Sequence, residues 1–222
     1  FPQRAAVWMG ADVFVQRMGF TVQEKSAQCV RVQYRFGVPG VPGAQVEMIY
    51  TVEAQGALRL DAVYHGVPGA PELPCFGIKF ETAAPVVRTR WTGLSGETYP
   101  DRCKGGVFGC HEEPPHIEPA LVPQDCGLHM DTQQVNLQLA DGKTLTLEST
   151  GEAFAFSALP NTAQQIEAAQ HPCELPETGR TCVTVLGAAR GVGGIDSWGT
   201  DVEAPYHVNG EQQHSVSLRI LL

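Results

Sequence analysis

Apolar and polar residues alternate in short segments along most of the chain. In segment 28–36, apolar side chains occupy every second position from Val30 to Phe36, and polar side chains such as Arg31 and Gln33 lie between them. The same period of two recurs in further segments: Phe76 to Phe80, Val135 to Leu139, Leu145 to Leu147, and Val216 to Ile220. Because successive side chains of a strand point to opposite faces, this pattern predicts half-buried antiparallel β-strands.

Gly, Pro and Asp separate these segments and predict where the chain turns. Asp141-Gly142 lies between two alternating segments and predicts a hairpin, because both residues tolerate a positive φ. Residues 38–43 and 66–74 are rich in Gly and Pro and predict exposed loops between strands.

Helical patterns are scarce. The clearest one covers residues 161–170, with Asn161 as the N-terminal cap, Gln164 as its capping-box partner and Pro172 as the stop. Residues 5–9 predict one further turn. The predicted fold is all-β, a large antiparallel β-sandwich with one or two short helices, formed by residues 1–222 as a single domain.

Composition narrows the function classes. The chain has 222 residues and a formal net charge of −9 without a Lys/Arg cluster, which argues against nucleic-acid binding. No apolar run is long enough to span a membrane. The seven cysteines are odd in number and irregularly spaced, so we expect free thiols in a reducing, cytoplasmic compartment. The chain starts at Phe1 rather than Met, which indicates a fragment or a processed product.

The most distinctive stretch is the loop from Gly191 to Gly199, in which glycines surround Trp198. Glycine frees the backbone for tight bends, so this composition predicts a shaped loop that displays the indole. A displayed indole suits the C–H face of a sugar, whereas the alternative is an indole packed on the core. Asp196 is expected to hold the loop by accepting hydrogen bonds from backbone N–H groups.

Two further motifs precede this loop. Tyr99-Pro100-Asp101-Arg102 predicts a turn in which Arg102 pairs with Asp101, with another carboxylate or with a carboxylate of a partner domain. Such pairing favours a structural or interdomain role over ligand binding. Ser157-Ala158-Leu159-Pro160 leads into the predicted helix.

The order and spacing of these motifs resemble the C-terminal domain of the glycoside hydrolase family 2 β-galactosidases, which is a separate small chain in two-subunit members. The matching residues are Tyr99 to Arg102, Ser157 to Pro160, Gly191 to Gly194, and Asp196 to Gly199. Weaker similarity covers nearly the whole chain. The chain departs from the family pattern at Ile195, where Asp is frequent, and at Asp125-Cys126-Gly127, where Glu-Asn-Gly is usual.

The resemblance implies a supersandwich that is similar in architecture to galactose mutarotase and that here lacks its first strands. It also implies an oligomeric enzyme that hydrolyses terminal β-D-galactosides such as lactose with retention. The catalytic glutamates and the Mg and Na sites would lie in a barrel domain or large subunit outside this chain. This chain would then hold no catalytic residue and no cofactor, and would be inactive alone.

Within this chain, the resemblance assigns substrate binding to Trp198, which would complete the aglycone subsite at the rim of the active site. The residues expected to shape its loop or to support the contact between domains are Gly193, Gly194, Asp196, Ser197, Tyr99, Asp101 and Arg102.

Two other groups of residues are weaker candidates for catalysis or metal binding. Glu112 and Glu113 would point to opposite sides of an extended segment, which argues against a catalytic carboxylate pair. His111 and His116 are one residue too far apart for the zinc-protease motif, and the intervening prolines exclude its helix, so no metal site is predicted. Two alternative functions are a stand-alone, non-catalytic carbohydrate-binding or structural module, and a mutarotase-like enzyme with a His acid and a Glu base.

Overall fold

The computed structural model of the chain describes residues 5–116 and 120–222. The strands in these residues are β1 (Gln16–Lys25), β2 (Cys29–Gly37), β3 (Gln45–Glu53), β4 (Leu58–Tyr64), β5 (Cys75–Glu81), β6 (Val86–Leu94), β7 (Phe108–Glu113), β8 (His129–Thr132), β9 (Gln134–Leu139), β10 (Thr144–Ser149), β11 (Phe154–Leu159), β12 (Cys182–Ala189) and β13 (His214–Leu221). The helices are α1 (Ala11–Phe14) and α2 (Ala163–Ala168), with 3₁₀ turns at Ala6–Trp8, Pro172–Glu174 and Ala204–Tyr206. None of the helices in these two ranges is long and apolar enough to cross a bilayer.

The strands form two antiparallel sheets. The larger sheet has nine strands in the order β1-β2-β3-β4-β13-β10-β9-β6-β7, and the smaller has four in the order β5-β12-β11-β8. Each alternating segment of the sequence falls within one strand: β2, β5, β9, β10 or β13. The prediction of an all-β antiparallel architecture with short helices is confirmed.

The hydrophobic core lies between the sheets, where their apolar faces meet. Tyr64 of β4 packs against Phe76 of β5 with ring centroids 6.2 Å apart. Trp91 of β6 packs against Phe156 of β11 at 6.1 Å. Each such side chain stabilises the fold by about 2 kcal/mol, because burial removes its apolar surface from water.

The smaller sheet covers only part of the larger one. Its edge strand β5 packs over β4 and β13, and β1, β2 and β3 extend beyond it. The strand register places Phe20 opposite Tyr34, Tyr34 opposite Met48, and Met48 opposite the buried Ala62. The apolar face of the larger sheet therefore continues outward from the core without a break.

We call the outer part of this surface the open face, formed by Phe20, Val22, Val30, Tyr34, Phe36 and Val52. Phe20 is 60% exposed and Val22 is 51% exposed. Phe20 stacks on Tyr34 with ring centroids 5.7 Å apart, and no second sheet of the described residues covers the face. That the domain lacks its first strands stays a prediction, as does the single-domain boundary.

The loops mostly follow the sequence prediction. The Asp141-Gly142 hairpin joins β9 to β10, with Gly142 at φ +87° and the Lys143 N–H donating to the Asp141 carboxylate at 3.1 Å. Residues 38–43 and 66–74 connect strands as predicted. The prediction that both are exposed loops is wrong in part, because Val41 and Leu73 are buried in the core cluster.

Helix α2 has its cap one residue later than predicted. Thr162 is the N-cap: its hydroxyl accepts the Gln165 N–H at 3.2 Å, and the Gln165 side chain accepts the Thr162 N–H at 2.9 Å. Asn161 instead donates its side-chain amide to the Pro176 carbonyl oxygen at 2.9 Å. The predicted cap was wrong because a tertiary contact takes the Asn161 side chain.

The end of helix α2 also differs from the prediction. The helix stops at Ala168 and the backbone of Ala169 is extended, so Pro172 does not terminate it. Pro172 opens a short 3₁₀ turn instead. The single turn predicted at residues 5–9 is present as the 3₁₀ turn Ala6–Trp8.

Candidate functional site

The loop from Gly191 to Gly199 follows strand β12 and projects the indole of Trp198 into solvent. Trp198 is 91% exposed, so the alternative of an indole packed on the core is wrong. Gly193, Gly194 and Gly199 have φ of +74°, +73° and +83°. Residues with a Cβ rarely adopt this backbone conformation, and the glycines therefore determine the shape of the loop.

Asp196 closes the tip of the loop around Trp198. Its carboxylate accepts the N–H of Trp198 at 2.9 Å, the N–H of Thr200 at 3.2 Å and the hydroxyl of Thr200 at 2.5 Å. The hydrogen bond from the Thr200 hydroxyl contributes most to lowering the pKa of Asp196 below its ordinary value, and the bonds from backbone N–H groups contribute next. The structure thus gives Asp196 the contacts with backbone N–H groups that its position in a Gly-rich turn predicts.

Asp101 contacts the start of the loop from a distant part of the sequence. Its side chain is 5% exposed and accepts the N–H of Val192 at 3.0 Å and the N–H of Gly193 at 2.8 Å. Burial acts to raise the pKa of Asp101, but these hydrogen bonds outweigh it and the pKa is lowered. Asp101 therefore holds the loop as an ionised carboxylate near neutral pH.

Arg102 and Gly191 complete this contact. The Arg102 guanidinium donates to the carbonyl oxygen of Gly193 and to that of Asp101, the latter at 3.1 Å. Its separation from the Asp101 carboxylate is 3.8 Å, so the predicted pairing is looser than its backbone contacts. A Cβ at Gly191 would lie 2.8 Å from Cγ of Asp101, which means that only glycine permits this approach.

A cluster of charged side chains holds the two ends of segment 190–207. Glu72 lies 3.5 Å from Nε of Arg190 and 2.8 Å from Nδ1 of His207. Arg190 also pairs with Asp201. The hydrogen bond to Glu72 raises the pKa of His207, and the same bond lowers the pKa of Glu72. Both ends are therefore tied to the loop that precedes β5.

The two remaining predicted site residues are Tyr99, in the turn that anchors the loop, and Ser197, at the tip of the loop. Tyr99 is half-buried, and its carbonyl oxygen accepts the Arg102 N–H at 2.8 Å in the turn that presents Asp101. Burial raises the pKa of the Tyr99 hydroxyl. Ser197 is exposed at the tip beside Trp198. The structure thus joins two motifs, residues 99–102 and 191–199, that the sequence leaves far apart.

The carboxylates and histidines of segment 111–116 serve separate contacts. Glu112 lies 3.0 Å from Arg88 on one side of β7, whereas Glu113 lies 3.1 Å from Nε2 of His129 on the other. Across residues 5–116 and 120–222, no group of three or more His, Cys, Asp and Glu side chains is arranged to hold a metal ion. The geometry agrees with the reasoning against a carboxylate pair.

Sequence reasoning missed two contacts of buried or half-buried histidines. His129 is 3% exposed, lies between Glu113 and the carbonyl oxygen of Gly96, and stacks on Phe156 at 4.9 Å. Nε2 of His116 lies 3.3 Å from the Cys126 sulfur. The departure of Cys126 from the family pattern was the one signal in the sequence for the second contact.

The structure is an antiparallel all-β domain that exposes one indole on a loop held by hydrogen bonds. Comparison with known families identifies this domain more closely. Residues 2–220 match the family model described as β-galactosidase small chain. The chain therefore belongs to the β-galactosidase small chain family.

Relatives exist both as separate subunits and within longer chains. The chain is 38% identical over 250 residues to the β-galactosidase small subunit of Latilactobacillus sakei, covering 99% of this chain and 79% of that one. It is 30% identical over 223 residues to a β-galactosidase of Streptococcus thermophilus, covering 99% of this chain but 22% of that one. Among solved structures, a galactose mutarotase related enzyme from Lactobacillus acidophilus matches with a TM-score of 0.40 at 10% identity, over 90% of this chain and 70% of that one.

Proposed function

We propose that this chain completes the active-site rim of a glycoside hydrolase family 2 β-galactosidase, with Trp198 as a wall of the aglycone subsite. The catalytic glutamates, with Mg and Na, would lie in a barrel domain or large subunit of the same enzyme. The assembled enzyme would hydrolyse terminal β-D-galactosides such as lactose with retention, and this chain alone would be inactive.

The observation that carries this proposal is the 91% exposure of Trp198 on a loop held at its tip and start. An exposed indole on a fixed loop is accessible to a sugar and offers it a flat apolar face with defined geometry. Asp196 fixes the tip and Asp101 fixes the start, so little conformational entropy would be lost when a sugar stacks on the indole. A flat ring offers apolar area to a pyranose C–H face and accepts either orientation of the sugar hydroxyls around its rim.

The partner is the remainder of the β-galactosidase, and we propose that its strands cover the open face. The S. thermophilus relative carries most of its length outside the matched 22%, so in that protein the matched region is continuous with a larger body. The open face continues the apolar face of the core, and another β-layer is the element that packs on such a face. An oligomeric enzyme in the cytoplasm is the corresponding expectation for the assembly.

Replacement of Trp198 tests the role in the aglycone subsite. In the assembled enzyme, Trp198→Ala should raise KM for lactose about tenfold, which corresponds to a stacking contribution of about 1.4 kcal/mol. Trp198→Phe should retain part of the affinity. Transfer of galactose to added glucose should fall in the same order, because glucose as acceptor occupies the same subsite. Ile195→Ala, an exposed apolar neighbour on the same loop, is the matched control and should leave both measurements near wild type.

Two outcomes would contradict the proposal. Wild-type kinetics of Trp198→Ala with lactose and with glucose as acceptor would exclude the indole from the subsite. Hydrolysis of o-nitrophenyl galactoside by this chain alone would show that its catalytic groups lie within it. If the chain alone binds lactose and no barrel-containing partner restores activity, the stand-alone carbohydrate-binding module is the correct function.

A further inference from the structure

Three polar side chains form a thiol cluster beside a small pocket. The thiol cluster consists of Cys126, His116 and Glu97. The Cys126 sulfur lies 3.3 Å from Nε2 of His116, and Nδ1 of the same ring lies 3.3 Å from the Glu97 carboxylate. The His116 side chain is 15% exposed and that of Glu97 is 39% exposed. The ring is thus shielded, while its carboxylate partner remains in contact with water.

In this arrangement the two ring nitrogens of His116 have different roles. A carboxylate at Nδ1 orients the ring and stabilises the positive charge that appears when Nε2 takes a proton. The group at Nε2 is a thiol, whose reactive form is the thiolate. His116 can therefore take the Cys126 proton and hold it next to the sulfur, and Glu97 compensates the resulting charge. This is the general arrangement by which a cysteine becomes a nucleophile.

The sulfur also has a route to small reagents. Cys126 and His116 line a pocket together with apolar side chains that include Leu159, Ile166 and Leu175. Cys126 itself is half-buried rather than enclosed. The apolar walls suit a compact, weakly polar reagent better than a large one.

The other cysteines have different surroundings. Cys182 is buried, and burial raises the pKa of its thiol. Cys110 is exposed, and hydrogen bonds from Arg90 and Thr92 lower its pKa. Cys173 is also exposed. These thiols provide internal references for a reactivity measurement on the same molecule.

We propose that Cys126 is a nucleophilic thiol that exchanges with small-molecule disulfides. The Cys126 thiolate attacks one sulfur of the reagent, a new S–S bond forms and the S–S bond of the reagent breaks. The departing thiolate takes the proton held on Nε2 of His116. One thiol and one disulfide give one mixed disulfide and one thiol, so no other oxidant is required.

2-Hydroxyethyl disulfide, a compact and uncharged disulfide, is the probe, applied near neutral pH to the full chain assembled with the rest of its β-galactosidase. Mass spectrometry after proteolysis gives the rate of adduct formation at each cysteine. We expect Cys126 to react about tenfold faster than Cys173, because thiolate fraction controls the rate. His116→Gln should remove most of this excess and leave the rate at Cys110 unchanged.

A rate at Cys126 no greater than that at Cys173 would overturn the proposal, and so would an unchanged rate in His116→Gln. The buried Cys182 reports loosening of the fold, since its rate rises only if the core opens. If His116→Gln accelerates Cys182, Glu97→Gln decides, because Glu97 lies at the surface and its amide keeps the shape of the side chain. A lower rate at Cys126 in Glu97→Gln supports the proposal, whereas an unchanged rate overturns it.

Discussion

The Trp198 loop and the open face both expose apolar surface, but they are built in different ways. Trp198 is a single ring on a loop whose frame is polar: Asp101, Asp196 and Arg102 hold it by hydrogen bonds. The open face is a continuous layer of side chains on regular strands, in which Phe20 and Tyr34 stack on each other. Around the ring, the loop exposes the separate side chains of Val192 and Ile195, whereas the open face continues into the core.

This difference separates two kinds of recognition. A single ring with fixed geometry matches a small, rigid ligand, because one stacking contact of defined orientation gives selectivity at little entropic cost. A continuous apolar layer gives affinity in proportion to the area covered and suits a protein surface. If the proposed roles are correct, we expect the ligand contact and the assembly contact to be disrupted independently.

The largest effect is expected at the open face. Phe20→Asp should weaken assembly with the rest of the β-galactosidase about 100-fold or more, because a carboxylate would be buried in an apolar interface. Phe20 is 60% exposed in this chain, so the substitution should not unfold it. Titration by analytical ultracentrifugation or light scattering measures the change. Thr21→Asp, on the opposite face of β1, is the matched control and should assemble normally; equal behaviour of both variants would refute the assembly role.

The next effect is expected at the anchor of the loop. Asp101→Ala removes a charged acceptor from two N–H groups, so the loop should lose its fixed position and KM for lactose should rise about fivefold to tenfold, with a smaller change in kcat. In the Trp198→Ala background the same change should add little, because both act through one ring. Asp141→Ala, in the distant hairpin, is the control. Independent, additive effects of Asp101→Ala and Trp198→Ala would contradict a positioning role.

The smallest effect is a pH dependence from the base of the loop. Glu72 raises the pKa of His207 above 6.5, and the same bond lowers the pKa of Glu72 below 4.5. The contribution of this pair to stability is therefore full between pH 4.5 and 6.5 and is lost as pH rises through the folded-state pKa of His207. Thermal unfolding should separate wild type from His207→Gln more between pH 4.5 and 6.5 than in alkaline buffer. A difference in Tm that stays constant, or that grows with rising pH, would contradict this coupling.

Much of the sheet architecture could be predicted because it is encoded locally. Segments with a period of two, such as Val30 to Phe36, became strands, and Asp141-Gly142 formed the hairpin between two of them. Val41 shows where local reasoning stops: a Gly- and Pro-rich loop predicts exposure, yet this valine completes the core. Capping by Thr162 rather than Asn161 has the same origin, since a distant carbonyl oxygen takes the Asn161 side chain.

The candidate site shows the same contrast between local features, which the sequence predicts, and tertiary contacts, which it does not. The exposure of Trp198 could be inferred from the glycines around it, because composition reports backbone freedom. The contact of Asp101 with Val192 spans 91 positions, and neither motif carries information about the other. Likewise, the sequence marked Cys126 as unusual but gave no indication that His116 lies against its sulfur. Contacts between loops are decided by how the sheets bring them together.

The open face also has a consequence for how such a protein must be made. If strands of a second polypeptide complete this layer, the two chains share one hydrophobic interior. An excess of either chain then leaves uncovered, aggregation-prone β-structure in the cell. Balanced synthesis, or prompt capture of the newly made chain, then becomes a requirement for solubility. Co-expression should accordingly yield more soluble material than mixing the separately produced halves.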